Sequence, residues 1–185
     1  MIICDATKEL NKDVSTKVAI GKFDGIHLGH RKLISEMVSS NDSLKSVVFT
    51  FSIDSPLSFN KDGYIYSEEK RRSIFESLGV DYLAEYYLTK ESAGISPEDF
   101  VRKILKDKLH VKAVYCGKDL SFGYKGMGNV DTLKALSKEL DIEVHVVEKE
   151  KYQNEDISST RIREALKAGK EEDAKSMLGV MKTYL

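Results

Sequence analysis

Val18-Ala-Ile-Gly-Lys-Phe-Asp-Gly-Ile-His-Leu-Gly-His30 is the stretch that decides the architecture. Val18, Ala19, Ile20 and Phe23 read as a buried strand, because a short apolar run opening on a β-branched residue suits the interior of a parallel sheet. Gly21, Asp24 and Gly25 supply turn chemistry. Leu33, Ile34, Met37 and Val38 then recur at helical spacing, so a helix begins near Leu28 or Gly29. His27 and His30 therefore sit at a helix start, where unpaired N–H groups and the positive end of the helix dipole attract anions. Gly29 has no Cβ to hold a ligand off the backbone, and protonated imidazoles donate from both ring nitrogens. A phosphate site is the sharper reading. The plainer one is a pair of ordinary surface or core histidines.

Outward from this motif, short apolar runs alternate with helical patterns. Val47 to Phe51, Tyr82 to Leu88, Lys112 to Gly117 and Ile142 to Val147 read as strands, with Ile2 to Cys4 as a short first one. Helices are expected from a Ser67 cap to Gly79 and from the Ser96-Pro97-Glu98-Asp99 start onward. Others should run from Val130 to Leu140, Ser159 to Ala168 and Lys170 or Glu171 to Leu178. The second of these carries the stripe Phe100, Val101, Ile104, Leu105 and Leu109. Such alternation implies an α/β, Rossmann-like, doubly wound and mainly parallel sheet of about five strands, with helices on both faces. One domain over residues 1–185 accounts for the pattern. Ser52 to Gly63 reads as a long loop at a strand end, and Lys149 to Asp156 as a charged connection. His110 and His145 read as structural, and Cys116 as a small core residue.

Two further constellations carry chemistry. Ile157-Ser-Ser-Thr-Arg-Ile-Arg163 places hydroxyls at a helix start and Arg163 about one turn further on, where a planar charged fork suits phosphate oxygens. By itself it reads first as an ordinary capped helix with surface arginines; beside the histidine motif in one α/β domain, the phosphate reading takes precedence. Tyr115-Cys-Gly-Lys-Asp-Leu-Ser-Phe-Gly-Tyr-Lys-Gly-Met-Gly-Asn129 sets aromatic rings among glycines directly after a strand. A flat ring system packing on Phe122 or Tyr124, with Asp119 accepting from its polar edge, is one reading. A glycine loop with one aromatic anchor is the other.

The histidine motif behind a strand and Phe-Asp-Gly resembles the nucleotidyltransferase superfamily. Gly21 to His30 is similar, more narrowly, to the FMN adenylyltransferase (FAD synthetase) module of bacterial bifunctional riboflavin kinase/FAD synthetase proteins. Ser158-Ser-Thr-Arg-Ile-Arg163 resembles the second signature of that superfamily, and Gly117-Lys-Asp-Leu-Ser-Phe-Gly123 its flavin segment, with Leu120 where the family has phenylalanine. The likeness continues at Glu69-Lys70, at Leu78 to Tyr82 and at Phe100-Val101. Thr50-Phe-Ser-Ile-Asp-Ser-Pro56 departs from the proline-rich family pattern at that loop.

What the resemblance implies is transfer of AMP from ATP to FMN. His27, His30 and Arg163 would be catalytic. Gly21, Phe23, Gly29, Ser158, Ser159, Thr160 and Arg161 would bind ATP and its phosphates. Asp119, Phe122 and Gly123 would bind flavin. Mg²⁺ is expected as cofactor, held mainly by substrate phosphates and water, and Asp24 as a turn residue. The six residues after Gly179 cannot build the family's riboflavin kinase domain, so the resemblance implies either a stand-alone adenylyltransferase or a kinase domain as partner in a longer parent chain. Transfer to another phosphate ester, and a non-catalytic flavin- or nucleotide-binding module, are the rival functions.

Composition narrows the field. The 185 residues are 41% hydrophobic and 32% charged with a net charge of −1, so no overall basic footprint points to nucleic acid or to an acidic membrane. Apolar runs are too short to span a bilayer, and no signal peptide is visible before Asp5 and Lys8. Two cysteines make no disulfide framework. A cytoplasmic enzyme is the expectation.

Overall fold

A computed structural model describes residues 1–57 and 63–179; the middle of the loop expected over 52–63 and the segment after Gly179 lie outside the described residues. Six strands form one sheet: β1 (Ile2–Asp5), β2 (Thr16–Ile20), β3 (Lys45–Phe51), β4 (Tyr82–Tyr86), β5 (Val111–Gly117) and β6 (Glu143–Val147). Their spatial order is β1-β4-β3-β2-β5-β6, and every neighbouring pair is parallel. The sheet thus has six strands rather than about five. β1 joins through its ladder to β4, while Ile2 and Ile3 stay exposed, so its membership rests on pairing more than on burial.

Strand alternation sorts the core onto two faces. Val18, Ile20, Val47, Phe49, Val114 and Cys116 pack on one side with Phe100, Ile104, Leu105 and Leu133. Ala19, Val48, Leu83, Ala113 and Tyr115 pack on the other with Leu33, Ile34, Met37, Ile74 and Phe75. The first set meets α3 (Pro97–Asp99, continued by a π-helix over Phe100–Lys108) and α4 (Val130–Glu139). The second meets α1 (Leu28–Ser39) and α2 (Glu68–Ser77). A third cluster, with Ile157, Ile162, Met177 and Leu178, ties α5 (Ser159–Lys167) to α6 (Glu171–Leu178). The caps read from the sequence are present: Ser67 accepts from Lys70 N–H, Ser96 from Asp99 N–H and Ser158 from Arg161 N–H.

Two elements differ from expectation. The strand before the histidine motif stops at Ile20, because Phe23 adopts φ 44°, which no strand tolerates. The charged connection after β6 folds as a small hairpin, β7 (Lys151–Tyr152) against β8 (Glu155–Asp156). Gln153 and Asn154 turn it with φ of 52° and 66°, the left-handed pair that a tight two-residue hairpin needs, without the glycine that usually advertises one.

The topology positions the site. From central β2 the chain moves through β3 to β4 on one side, then returns to lay β5 and β6 on the other. The strand order therefore reverses between β2 and β5, and a crevice opens at their carboxyl ends, where open α/β sheets bind ligands. Gly21 to His30 follows β2 there, and the aromatic glycine loop follows β5.

That second loop is pinned. Phe122 and Gly128 exchange backbone hydrogen bonds of 2.9 Å, and Gly123 sits at φ 71° with room for no Cβ, which would lie 2.7 Å from Pro97 N. Gly123→Ala should therefore cost roughly 1–3 kcal/mol of stability. Urea denaturation checks this, and an unchanged midpoint would refute the close packing on Pro97.

Candidate active site

The turn after β2 is held in a conformation that its own residues disfavour. Phe23 and Ile26 are fully buried at φ 44° and 41°, a region that costs a bulky side chain on the order of 1 kcal/mol or more. Arg71, buried on α2, supplies the compensation. Its Nε donates to Phe23 O at 3.3 Å, and its Nη2 donates to Lys22 O at 3.2 Å and Thr50 Oγ1 at 2.8 Å. Thr50 Oγ1 in turn donates to Lys22 O. Arg71 was not singled out from the sequence. Its spacing from Ile74, Phe75 and Leu78 puts it on the buried stripe of α2, and that was the available signal.

The two histidines are stacked, with ring centroids 3.7 Å apart and planes at 15°. His27 is the N-cap of α1, and its Nδ1 accepts from His30 N–H at a long 3.4 Å. Phe23 meets His30 edge-on at 5.0 Å, and His30 Nδ1 is buried without a hydrogen-bond partner. Burial dominates their chemistry. It lowers the His27 pKa to about 4, with Lys149 adding to the effect and Asp119 opposing it. His30 is pushed well below its ordinary value by burial, then by His27 and Arg71. The pair, which donates from both ring nitrogens only when protonated, is therefore neutral at pH 7 in this structure, since desolvation disfavours the cation in the same sense as the helix N-terminus does.

Two cavities meet at this turn. One, of about 300 Å³, is lined by Gly21, Phe23, His27, Gly29 and His30 from the first motif and by Ser158 and Ser159 from the second. The starts of α1 and α5 thus face one space, as phosphate binding requires. The other, of about 490 Å³, is bounded by Phe49, Phe51, Tyr86, Phe100, Phe122 and Gly123 among others. Ile20, Gly21, Lys22, Leu120 and Ser121 border both. Leu120 was noted from the sequence only as a departure from the flavin segment, and Ser121 was not singled out, since neither residue type signals a site by itself. The aromatics of β3 and β4 were equally silent as ordinary core.

Several expected site residues lie elsewhere. Arg163 points away from the first cavity: its Nη2 is paired with Asp24, and its Nε donates to Gly63 O at 3.4 Å. Asp24 is correspondingly more than a turn residue, since its Oδ1 accepts from Ile65 N–H at 3.0 Å. Burial raises the Asp24 pKa even though Ile65, Arg163 and Arg71 all favour its charged form. Arg161 donates to Tyr152 O and Glu155 O, so it braces the β7–β8 hairpin. Thr160 is exposed and borders neither cavity. Asp119 borders the first cavity rather than the aromatic one, because Lys149 Nζ holds its Oδ2 at 2.8 Å. Phe122 does border the aromatic cavity, its ring resting 5.5 Å from that of Phe100. His145, stacked on Tyr115, and His110, bonded to Leu10 O, are structural as expected.

No cluster of three or more His, Cys, Asp or Glu suited to a metal ion occurs among the described residues, and no helix there is long and apolar enough to cross a membrane.

A central turn between two cavities at the switch point of a parallel sheet defines a doubly wound α/β domain with its candidate site at the strand carboxyl ends. The model of the FAD synthetase family matches residues 9–161, and the chain belongs to that family. A FAD synthetase from Listeria monocytogenes is 33% identical over 189 aligned positions, covering 97% of this chain and 75% of its relative. A bifunctional riboflavin kinase/FMN adenylyltransferase from Buchnera aphidicola is 31% identical, covering 93% of this chain and 56% of the relative. The chain spans about half the length of most of the curated relatives it matches. Among solved structures, one described as a macrolide-efflux protein from Streptococcus pneumoniae superposes with a TM-score of 0.83 at 27% identity, over 97% of this chain and 61% of that one. A pantoate-beta-alanine ligase from Francisella tularensis shares the fold at a TM-score of 0.61 and 21% identity, over 100% and 80% of the two chains.

The depressed histidine fixes a pH dependence. Unfolded His27 takes up a proton below its ordinary pKa of 6.5, but folded His27 only near 4. Its contribution to stability is therefore complete above 6.5 and is lost as pH falls towards 4, amounting to roughly 3 kcal/mol. His27→Asn keeps a capping acceptor and removes that share. Denaturation between pH 7 and 4 should show a flatter decline for His27→Asn than for the parent chain; parallel curves would contradict the buried neutral state.

Proposed function

We propose that this domain transfers the adenylyl group of ATP to the phosphate of FMN, giving FAD and diphosphate. The observation that carries the proposal is the junction of the two cavities. A space bordered by two helix starts suits a polyphosphate, an adjoining aromatic space suits a flat ring system, and both open onto Ile20 to Lys22. A substrate spanning that junction brings its phosphate to the end of the polyphosphate. The names of the relatives, FAD synthetase and FMN adenylyltransferase, support the same chemistry.

On this reading the FMN phosphate is already an anionic nucleophile, so no serine, cysteine or lysine has to be activated. One of its oxygens attacks the α-phosphorus of ATP, a new P–O bond forms, and the bond to the β-phosphate breaks with diphosphate leaving. The work of the protein is positioning and neutralisation of developing charge. His27 and His30 lie beside the reacting phosphorus, and Gly29 opens the backbone between them. Ser158, Ser159 and the first N–H groups of α5 hold the outer phosphates. Polyphosphate charge against two desolvated imidazoles favours their protonated form, so the site gains donors as it fills. Arg163, with Asp24, fixes α5 against the histidine turn, and Phe122 and Gly123 shape the wall facing the flavin. Mg²⁺ belongs to the proposal as a companion of the triphosphate. Among the described residues no cluster of three or more His, Cys, Asp or Glu forms a cage for it, so its ligands on this reading are substrate phosphates and water. A riboflavin kinase partner is proposed on the bifunctional names alone.

Incubation with ATP, Mg²⁺ and either FMN or riboflavin, with chromatographic separation of products, tests the function: FAD should form from FMN and nothing from riboflavin. AMP transfer to phosphopantetheine or glycerol phosphate in preference to FMN would overturn it. His30→Ala should lower kcat about a hundredfold or more with the melting transition retained. A folded variant working at the parent rate would remove His30 from the chemistry.

A further inference from the structure

Lys149 is a cation at the polyphosphate cavity that no motif assigns. It follows β6, borders that cavity beside His27, and its side chain is only 25% exposed. The segment carrying it is wedged between the two helix starts. Glu150 O accepts from Ile157 N–H at 2.9 Å, just before the cap of α5, and Glu150 N lies 3.7 Å from where a Cβ on Gly29 would stand. Lys149 Nζ is bonded to Asp119 Oδ2 at 2.8 Å and lies 4.0 Å from Asp156.

Lys22 and Lys149 are the lysines that line this cavity among the described residues, and Lys149 is the one whose ion-pair partner also lines it. Arg163 is taken by Asp24, and Arg161 by the hairpin. The other carboxylates at the rim, Glu148 and Glu150, face Lys118 at 3.6 Å and Lys32 at 2.9 Å. Lys149 projects among the lining residues, whereas its partner Asp119 is 66% exposed and can return to water at little cost. A flexible ammonium with three donors exchanges one oxygen partner for another without backbone movement.

We propose that Lys149 is a substrate-binding residue for the triphosphate of ATP, giving up Asp119 for phosphate oxygens as the nucleotide enters. Asp119 acts as its holding partner in the empty site, keeping the ammonium aimed at the cavity. This inference rests on the adenylyl-transfer reading above for the identity of the ligand, while its geometry concerns any polyphosphate.

Calorimetric titration of the parent chain, Lys149→Met and Lys149→Arg with three probes, ATP, inorganic tripolyphosphate and adenosine, tests it. Lys149→Met should weaken ATP and tripolyphosphate alike by about tenfold or more, leave adenosine unchanged, and be largely rescued by Lys149→Arg. Unchanged tripolyphosphate affinity in a folded Lys149→Met would overturn the proposal. So would an equal loss for adenosine, which would make Lys149 a support of the loop rather than a ligand. Lys149→Gln gives the same comparison should the methionine variant lose its fold. FAD formation by the parent chain, followed separately, keeps the two readings apart. A tripolyphosphate effect without FAD synthesis would support this inference while counting against adenylyl transfer.

Discussion

Two imidazoles stacked 3.7 Å apart in a desolvated turn set the constraint on which the rest of this molecule depends. Buried and adjacent, they stay neutral, because a proton on either ring would face a desolvated setting, with Lys149 adding to the cost at His27 and His27 and Arg71 adding to it at His30. The histidine pair thus adds no standing positive charge to a cavity whose lining also holds the Lys22 and Lys149 side chains. On the proposed reading the pair offers latent donors, protonated as a polyphosphate enters. That distinguishes it from a cluster of surface arginines, which binds any polyanion by long-range attraction.

Holding the rings there takes structure from several directions. Backbone strain at Phe23 and Ile26 bends the chain sharply out of the sheet, and Arg71 closes the bend by bonding the carbonyls of Lys22 and Phe23. Asp24 extends the same turn to Ile65 and, through Arg163, to α5. The switch in strand order then places the loop after β5 beside it. Function follows from this convergence: elements far apart in sequence share one crevice only because β2 and β5 are neighbours.

Much of this was legible in the residues. Apolar runs of five to seven gave the inner strands, and caps such as Ser67, Ser96 and Ser158 gave the helix starts, because those signals are local. His27, His30, Ser158 and Ser159 were found, and they do share a cavity. What escaped was set by tertiary context. The partners of Arg163 and Arg161 could not be known from spacing, since a guanidinium reaches in many directions and a buried carboxylate outcompetes an empty cavity. Asp119 faces the histidine side because Lys149 draws it there, a residue read only as part of a charged connection. Arg71 sits inside the charged stretch Glu68-Glu-Lys-Arg-Arg72 and was not singled out, although its register on α2 places it inward. The protonation state of the histidines was not legible for the same reason: burial is not a property of the motif.

The central claim is that the imidazoles are neutral when the cavity is empty and gain charge from the nucleotide. Calorimetric titration of ATP near pH 7, repeated in buffers of different ionisation enthalpy, measures this directly. The account predicts that the apparent binding enthalpy varies with the buffer in the sense of proton uptake, and that adenosine shows no such variation. Identical ATP enthalpies in every buffer would contradict it.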